Sequence, residues 1–82
     1  MNLENYPAIP SDIAIELENY VRYRKCPSPW LYAILTNNLI DTISNPHQYD
    51  LVVLFDIIRW LSNEIPENIW GSDEKVETYL AG

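Results

Sequence analysis

Apolar residues recur along this chain at the spacing of α-helices. One early stripe follows positions i, i+4, i+7 and i+8, and consists of Ile13, Leu17, Tyr20 and Val21. No segment shows the strict two-residue alternation of strands, and the chain has two glycines. The pattern predicts an all-α fold, a compact bundle of four helices at about 11–25, 29–44, 46–64 and 72–80, after an extended lead-in over 1–10.

Capping residues and prolines mark the ends of these helices. The pair Ser28-Pro29 places a cap before a proline that fits the first helical position, and Asn45-Pro46 repeats this signature. Ser72 is the predicted cap of the last helix. Within the second helix, the adjacent Asn37 and Asn38 have modest helix propensity, so a bend or a brief break is expected there.

The third helix carries apolar residues around most of its circumference. Its polar positions, Asp56, Arg59 and Asn63, form only a narrow stripe. A helix with so little polar surface is typically packed on several sides. We therefore predict that the third helix is the central one. Tyr6 and Ile9 of the lead-in are also expected to pack on the core.

Size and charge limit the kind of protein this can be. The chain has 82 residues, 48% of them hydrophobic, which suits one small folded domain. Its net charge of −7 should repel phosphate groups and anionic lipids, so binding to nucleic acid or to a membrane surface is disfavoured. The acidic side chains either keep the protein soluble or contact a basic partner. A single cysteine, Cys26, and the lack of a signal-peptide pattern predict a reducing, cytoplasmic location.

Catalytic residues are few. A nucleophile–base pair would require Cys26 or a serine with His47, the one histidine of the chain. Asp41 and Asp50 could flank one turn, whereas Asp56 pairs more naturally with Arg59 at i, i+3. Metal-ligand spacing and a glycine-rich phosphate loop are missing from the sequence. We predict no enzyme activity, no metal and no cofactor.

Two features are candidates for recognition. The first is the end of helix one, where Tyr23 lies among the cations Arg22, Arg24 and Lys25. Aromatic and cationic side chains together can stack bases and hold phosphates, although cations also suit a helix C-terminus. The second is tryptophan, which is enriched at interface centres. Core packing is the favoured role for all three tryptophans; if one is exposed, Trp30 is the first candidate, because it lies off its helix's apolar stripe.

Two segments, residues 29–39 and 60–80, carry a resemblance. In the first, Pro29 precedes an aromatic-Leu-x-Ala-x-Leu run that ends in Asn-Asn-Leu; in the second, Pro66 precedes Trp70-Gly71-Ser72. In these motifs the chain resembles a group of short uncharacterised helical proteins of bacteriophage and bacterial genomes. The group more often has Asp where this chain has Asn38. The resemblance implies a phage-related origin and no particular activity.

These observations favour a small, acidic, non-enzymatic protein-interaction module. By analogy with small acidic phage proteins, it would be a regulator or inhibitor of a host protein, acting on a protein partner or as a homo-oligomer. One alternative is an inhibitor that mimics DNA through rows of carboxylates. Another is weak nucleic-acid binding through the patch of Arg22, Arg24 and Lys25.

Overall fold

The computed structural model describes residues 3–44 and 50–82, and every regular element in these ranges is helical. The five α-helices are α1 (Ser11–Tyr23), α2 (Pro29–Leu35), α3 (Leu39–Ser44), α4 (Leu51–Glu64) and α5 (Asp73–Ala81). Two short 3₁₀ helices span Leu3–Asn5 and Glu67–Ile69. The all-α prediction is confirmed, whereas the specific bundle of four helices is not, because the predicted second helix is divided in two.

The lead-in is not extended throughout, since Leu3–Asn5 form a 3₁₀ turn. As expected, Tyr6 and Ile9 are buried in the core. The Tyr6 hydroxyl donates to Glu64 Oε2 at 3.2 Å, and the Ala8 backbone N–H donates to Asp56 Oδ2 at 3.2 Å. The lead-in therefore lies along the polar side of α4 and supplies a hydrogen bond to Asp56, which offsets part of the cost of burying that carboxylate.

Helix α1 ends two residues before the predicted position. Arg24 adopts the left-handed conformation, with φ of 55°, and its N–H donates to the Tyr20 carbonyl at 3.1 Å. This conformation is costly for a residue with a Cβ unless other contacts hold it. Here the Arg24 guanidinium lies over the Tyr79 ring, 4.5 Å from its centroid, and so stabilises the turn through α5.

The predicted second helix is interrupted at the expected asparagines. Asn37 is left-handed, with φ of 61°, and ends the run that begins with α2. Asn38 then starts α3, because its Oδ1 accepts the backbone N–H of Asp41 at 3.0 Å. Asparagine suits both tasks, since it tolerates the left-handed region and caps helices well. The left-handed Asn37 thus separates α2 from α3.

Helix α4 begins later than predicted, at Leu51, with Asp50 as its extended N-cap. The predicted start and its Asn45-Pro46 signature lie outside the described residues, as does His47. Ile57, Trp60 and Leu61 of α4 are fully buried, whereas Leu51, Val52 and Phe55 near its start are exposed, so the predicted central position of this helix is not confirmed.

The last helix closes the core against α1 and α2. Ser72 caps α5 as predicted, since its Oγ accepts the Lys75 N–H at 3.2 Å. Preceding it, the Gly71 N–H donates to the Leu35 carbonyl at 2.6 Å and ties this corner to the end of α2. The Tyr79 hydroxyl donates to the Val21 carbonyl and Tyr20 donates to the Ile69 carbonyl. These bonds satisfy polar groups at helix ends within an otherwise apolar interior.

Candidate functional site

A large exposed apolar surface lies on the first eight residues of α4. Four large apolar side chains there are 40–67% exposed: Leu51, Val52, Phe55 and Ile58. They are at positions i, i+1, i+4 and i+7, so they share one side of the helix. We call this set the α4 face. It lies opposite the side that contributes to the core.

The α4 face is large for a protein of this size. At ~180 Å² for a fully exposed side chain of this kind, it opens about 400 Å² of apolar surface to solvent. That is already within the ~300–600 Å² of the largest apolar patch on a typical monomer, and such patches are often functional.

Helix α3 carries two further exposed apolar side chains. Thr42 of α3 shares a small cavity of about 50 Å³ with Leu54 and Ile58 of α4, so the two helices are neighbours. On α3, Ile40 and Ile43 are 75% and 71% exposed. Ile40 lines a separate open depression with Thr36, Asn37 and Asp73, so it is not counted in the α4 face.

Charged groups occur at the ends of the α4 face and not within it. Asp50 precedes Leu51 and is exposed. At the other end, Arg59 Nη1 donates to Asp56 Oδ1 at 3.2 Å, which confirms the predicted i, i+3 pair. The Arg59 side chain is nevertheless two-thirds exposed, and a guanidinium has further donors to offer.

A second concave feature lies between the α1–α2 connection, α2 and α5. This groove encloses about 550 Å³ and is lined by ten residues: Cys26, Pro27, Pro29, Tyr32, Ala33, Thr36, Asn38, Asp41, Asp73 and Leu80. None of these carries a positive charge. Partial burial, followed by the nearby carboxylates Glu77 and Asp73, raises the pKa of Tyr32 above its ordinary value. The groove is therefore an acidic, mostly apolar surface that would favour a cationic group over an anionic one.

Cys26 lines this groove, whose described lining includes no histidine or lysine. It is exposed, and its thiol donates to the neighbouring Pro27 carbonyl at 3.7 Å. A thiol is a strong nucleophile only when a base or a cation stabilises the thiolate. Across the described ranges, no cluster of three or more His, Cys, Asp or Glu side chains is arranged to hold a metal ion. The described residues here supply a surface for contact, and His47 lies outside them.

The predicted cationic patch is divided among different contacts. Arg22 pairs with Glu18 on the same helix at 3.5 Å. The Arg24 guanidinium lies over the Tyr79 ring, and its Nη1 donates a hydrogen bond to the Tyr79 backbone carbonyl at 3.2 Å. Tyr23 and Lys25 are exposed. The two arginines thus already have partners within the fold.

Trp30 is not the exposed tryptophan that its position suggested, since only 4% of its surface is accessible. Trp60 is fully buried and Trp70 is half-buried, so the favoured expectation of core packing describes all three better. The reason for placing Trp30 at an interface is therefore gone. The α4 face was not among the predicted site residues, although the sequence held one signal: more apolar positions on one helix than so short a chain can cover.

Comparisons with known protein families, with curated proteins and with solved structures gave no match. Function must therefore be argued from the surfaces themselves. Among the helices of the described ranges, none has the length and apolar character of a membrane span.

Proposed function

We propose that this protein is a non-enzymatic protein-interaction module that binds its partner through the α4 face. The observation that carries the proposal is the exposure of four large apolar side chains on one side of one helix. Recognition of an apolar helix face is a recurrent mode of protein association. Phe55 lies within the face and is its one aromatic residue, which makes it the expected anchor.

The energetics suit regulated association. Removing about 400 Å² from water provides on the order of 10 kcal/mol before any cost is counted. Association itself costs an estimated ~4–15 kcal/mol in lost freedom. Contacts beyond the α4 face, such as hydrogen bonds from its polar rim, are therefore required to make binding tight.

The biological role we propose is that of a regulator or inhibitor of another protein. Its support is the phage-like sequence resemblance together with the contact surface. Bonds within the chain weaken the support for a DNA mimic, because at least six of the twelve carboxylates have partners there: Glu16, Glu18, Asp41, Asp56, Glu64 and Glu77. The contacts of Arg22 and Arg24 likewise leave little support for nucleic-acid binding through that patch.

Matched substitutions test the proposal. Phe55→Gln replaces an exposed aromatic residue on the α4 face, and Ile15→Gln replaces an exposed apolar residue of α1 as the control. Glutamine is a good helix former and carries no charge, so neither change should disturb the fold. Circular dichroism and thermal unfolding would establish that both variants remain folded.

The readout is retention of proteins from native lysate by immobilised wild-type chain and by each variant, followed by quantitative mass spectrometry. We expect a protein that wild type and Ile15→Gln retain and Phe55→Gln does not. That protein can be a different one or the chain itself. If every retained protein binds the Phe55→Gln variant equally well, the α4 face is not the contact surface and the proposal fails.

A further inference from the structure

We propose that the groove between the α1–α2 connection, α2 and α5 binds a segment of another protein that carries a lysine or arginine side chain. None of the described residues that line this groove belongs to α4, so the inference goes beyond the proposed function and does not rest on it. Three features carry it: the open shape of the groove, the combination of apolar walls with carboxylates, and a negative charge that the fold leaves unbalanced there.

The shape of the groove favours a segment of a larger molecule. Thr36, Asn38 and Asp73 line both the groove and the depression that Ile40 lines, so the two features adjoin each other. Pockets for small ligands bury most of the surface of the ligand. This continuous open surface would instead leave one side of its occupant in water, which suits a peptide segment that remains attached to its own protein.

The lining of the groove matches the two parts of a basic side chain. Pro27, Pro29 and Leu80 provide apolar surface, while Asp41 and Asp73 provide negative charge. Lysine and arginine combine an aliphatic stem, which packs along apolar surface, with a cationic head that remains solvated or paired. An uncharged apolar side chain would instead cover the carboxylates without pairing with them, which costs desolvation free energy.

Both carboxylates can accept hydrogen bonds from such a head group. Asp41 accepts one from Asn38 Nδ2 at 2.9 Å, and an ionised carboxylate has further acceptor positions. Asp73 is exposed, and neither carboxylate belongs to an ion pair among the described residues. Burial, and then the charges of Glu77 and Asp73, raise the pKa of Tyr32, so the negative potential of α5 reaches this tyrosine in the wall of the groove.

The fold does not balance this charge with a cation of its own. None of the described residues that line the groove is basic. Lys75, which follows Asp73 by two residues, has its Nζ beside Gly71 and is not part of the lining. The net charge of −7 attracts basic partners to the protein as a whole, and in this groove the charge lies beside apolar surface that can hold one.

Backbone amide chemical shifts of the isotope-labelled chain test the proposal. The probes are pools of capped synthetic peptides with mixed apolar residues on both sides of one central position, which is lysine, arginine, norleucine or glutamate. We expect the lysine and arginine pools to shift the amides of Tyr32, Thr36 and Asp73, with dissociation constants below about 1 mM. The norleucine pool should bind at least about threefold more weakly and the glutamate pool should not bind. Added salt should weaken the binding of the lysine pool.

A matched pair of variants separates the groove from the general charge of the protein. Asp73→Asn removes one carboxylate from the lining, whereas Glu74→Gln removes the same charge from the same turn of α5 outside the lining. Asp73→Asn should weaken the binding of the lysine pool about threefold, and Asp41→Asn together with it about tenfold. Glu74→Gln should bind as wild type does. Circular dichroism of each variant checks the fold.

Cys26 offers an independent readout, because it is the one cysteine of the chain and lies exposed in the lining. A bound lysine pool should slow the reaction of Cys26 with iodoacetamide, since the peptide covers the thiol. Conversely, a chain already modified at Cys26 with N-ethylmaleimide should bind the lysine pool several-fold more weakly.

Three results would overturn the inference. The first is that no pool binds at about 1 mM, or that the shifted amides lie outside the groove. The second is equal binding of the lysine and norleucine pools, or of Asp73→Asn and Glu74→Gln, which would remove the role of charge. The third is binding of butylamine or spermidine as tight as that of the lysine pool, which would make the occupant a free organic amine.

The outcome is independent of the proposed function. Phe55→Gln should leave the binding of the lysine pool unchanged, because Phe55 does not line the groove. If the pools fail to bind while Phe55→Gln still loses a protein that wild type retains, the α4 face stands and the groove inference falls. If the lysine pool binds while Phe55→Gln retains every protein, the groove inference stands and the proposed function falls.

Discussion

Replacing Tyr20 with phenylalanine should change how the stability of this protein depends on pH. The Tyr20 side chain is fully buried, and its hydroxyl donates a hydrogen bond to the Ile69 carbonyl. Burial is the main reason that the pKa of Tyr20 rises from 10.0 to about 12, with a smaller contribution from the neighbouring Tyr79. Only the neutral phenol suits this site, since a phenolate would face a carbonyl oxygen in an apolar interior.

The sign and size of the effect follow from this difference in pKa. Below pH 10, folded and unfolded chains both hold the proton, and the stabilisation from Tyr20 is fully present. Between pH 10 and about 12 the unfolded chain loses the proton first, so the free energy of unfolding falls. At about 1.4 kcal/mol per pH unit, the loss is on the order of 3 kcal/mol. The Tyr20→Phe variant should lack this part of the decline.

Urea unfolding followed by circular dichroism at intervals from pH 8 to pH 12 measures the effect. Near pH 8 the Tyr20→Phe variant should be about 1–3 kcal/mol less stable than wild type, because the Ile69 carbonyl loses its partner. As pH rises, this difference should shrink and vanish. Tyr23→Phe is the matched control, since Tyr23 is exposed. Parallel pH profiles for wild type and Tyr20→Phe would refute the reasoning.

Three further predictions concern local structure and are measured by urea unfolding near neutral pH. Ser72→Ala removes the cap of α5 and should cost about 1 kcal/mol, whereas a cost near zero would mean that the Oγ contact is unimportant. Asn37→Gly should be close to neutral, and Asn37→Ala should cost about 1–2 kcal/mol, because alanine disfavours positive φ; equal stabilities would argue against a left-handed Asn37. Asp56→Ala should cost about 1–3 kcal/mol, since it leaves the Ala8 N–H unpaired, and unchanged stability would show that the lead-in does not depend on this bond.

Local signals in the sequence predicted much of the helical framework. The Ser28-Pro29 start and the Ser72 cap are where residue type places them, because these signals act over a single turn. The break at Asn37 was also predictable from residue type. The end of α1 was not, since Arg24 is held in its left-handed conformation by Tyr79, fifty-five residues later in the chain.

Tertiary surroundings were harder to predict. Trp30 lies off the Leu31–Leu35 stripe, but α2 is buried on most of its sides, so lying off the stripe does not imply exposure. The reverse holds for α4. The apolar residues in its N-terminal half predicted that other elements pack around this part of the helix. Hydrophobic periodicity, however, shows only which sides of a helix favour apolar contacts, and not whether the rest of the chain provides them. The α4 face is that unmet preference, and the coordinates show which side chains belong to it.

The positions of the three tryptophans also determine the intrinsic fluorescence of the protein. Trp30 and Trp60 are buried, Trp70 is half-buried with its indole N–H donating to the Ile65 carbonyl, and none belongs to the α4 face. An indole shielded from water fluoresces at shorter wavelength than one in contact with it. Intrinsic fluorescence will therefore shift when the core opens and remain nearly constant when a partner covers Phe55. Unfolding and association are thus optically separate in this molecule.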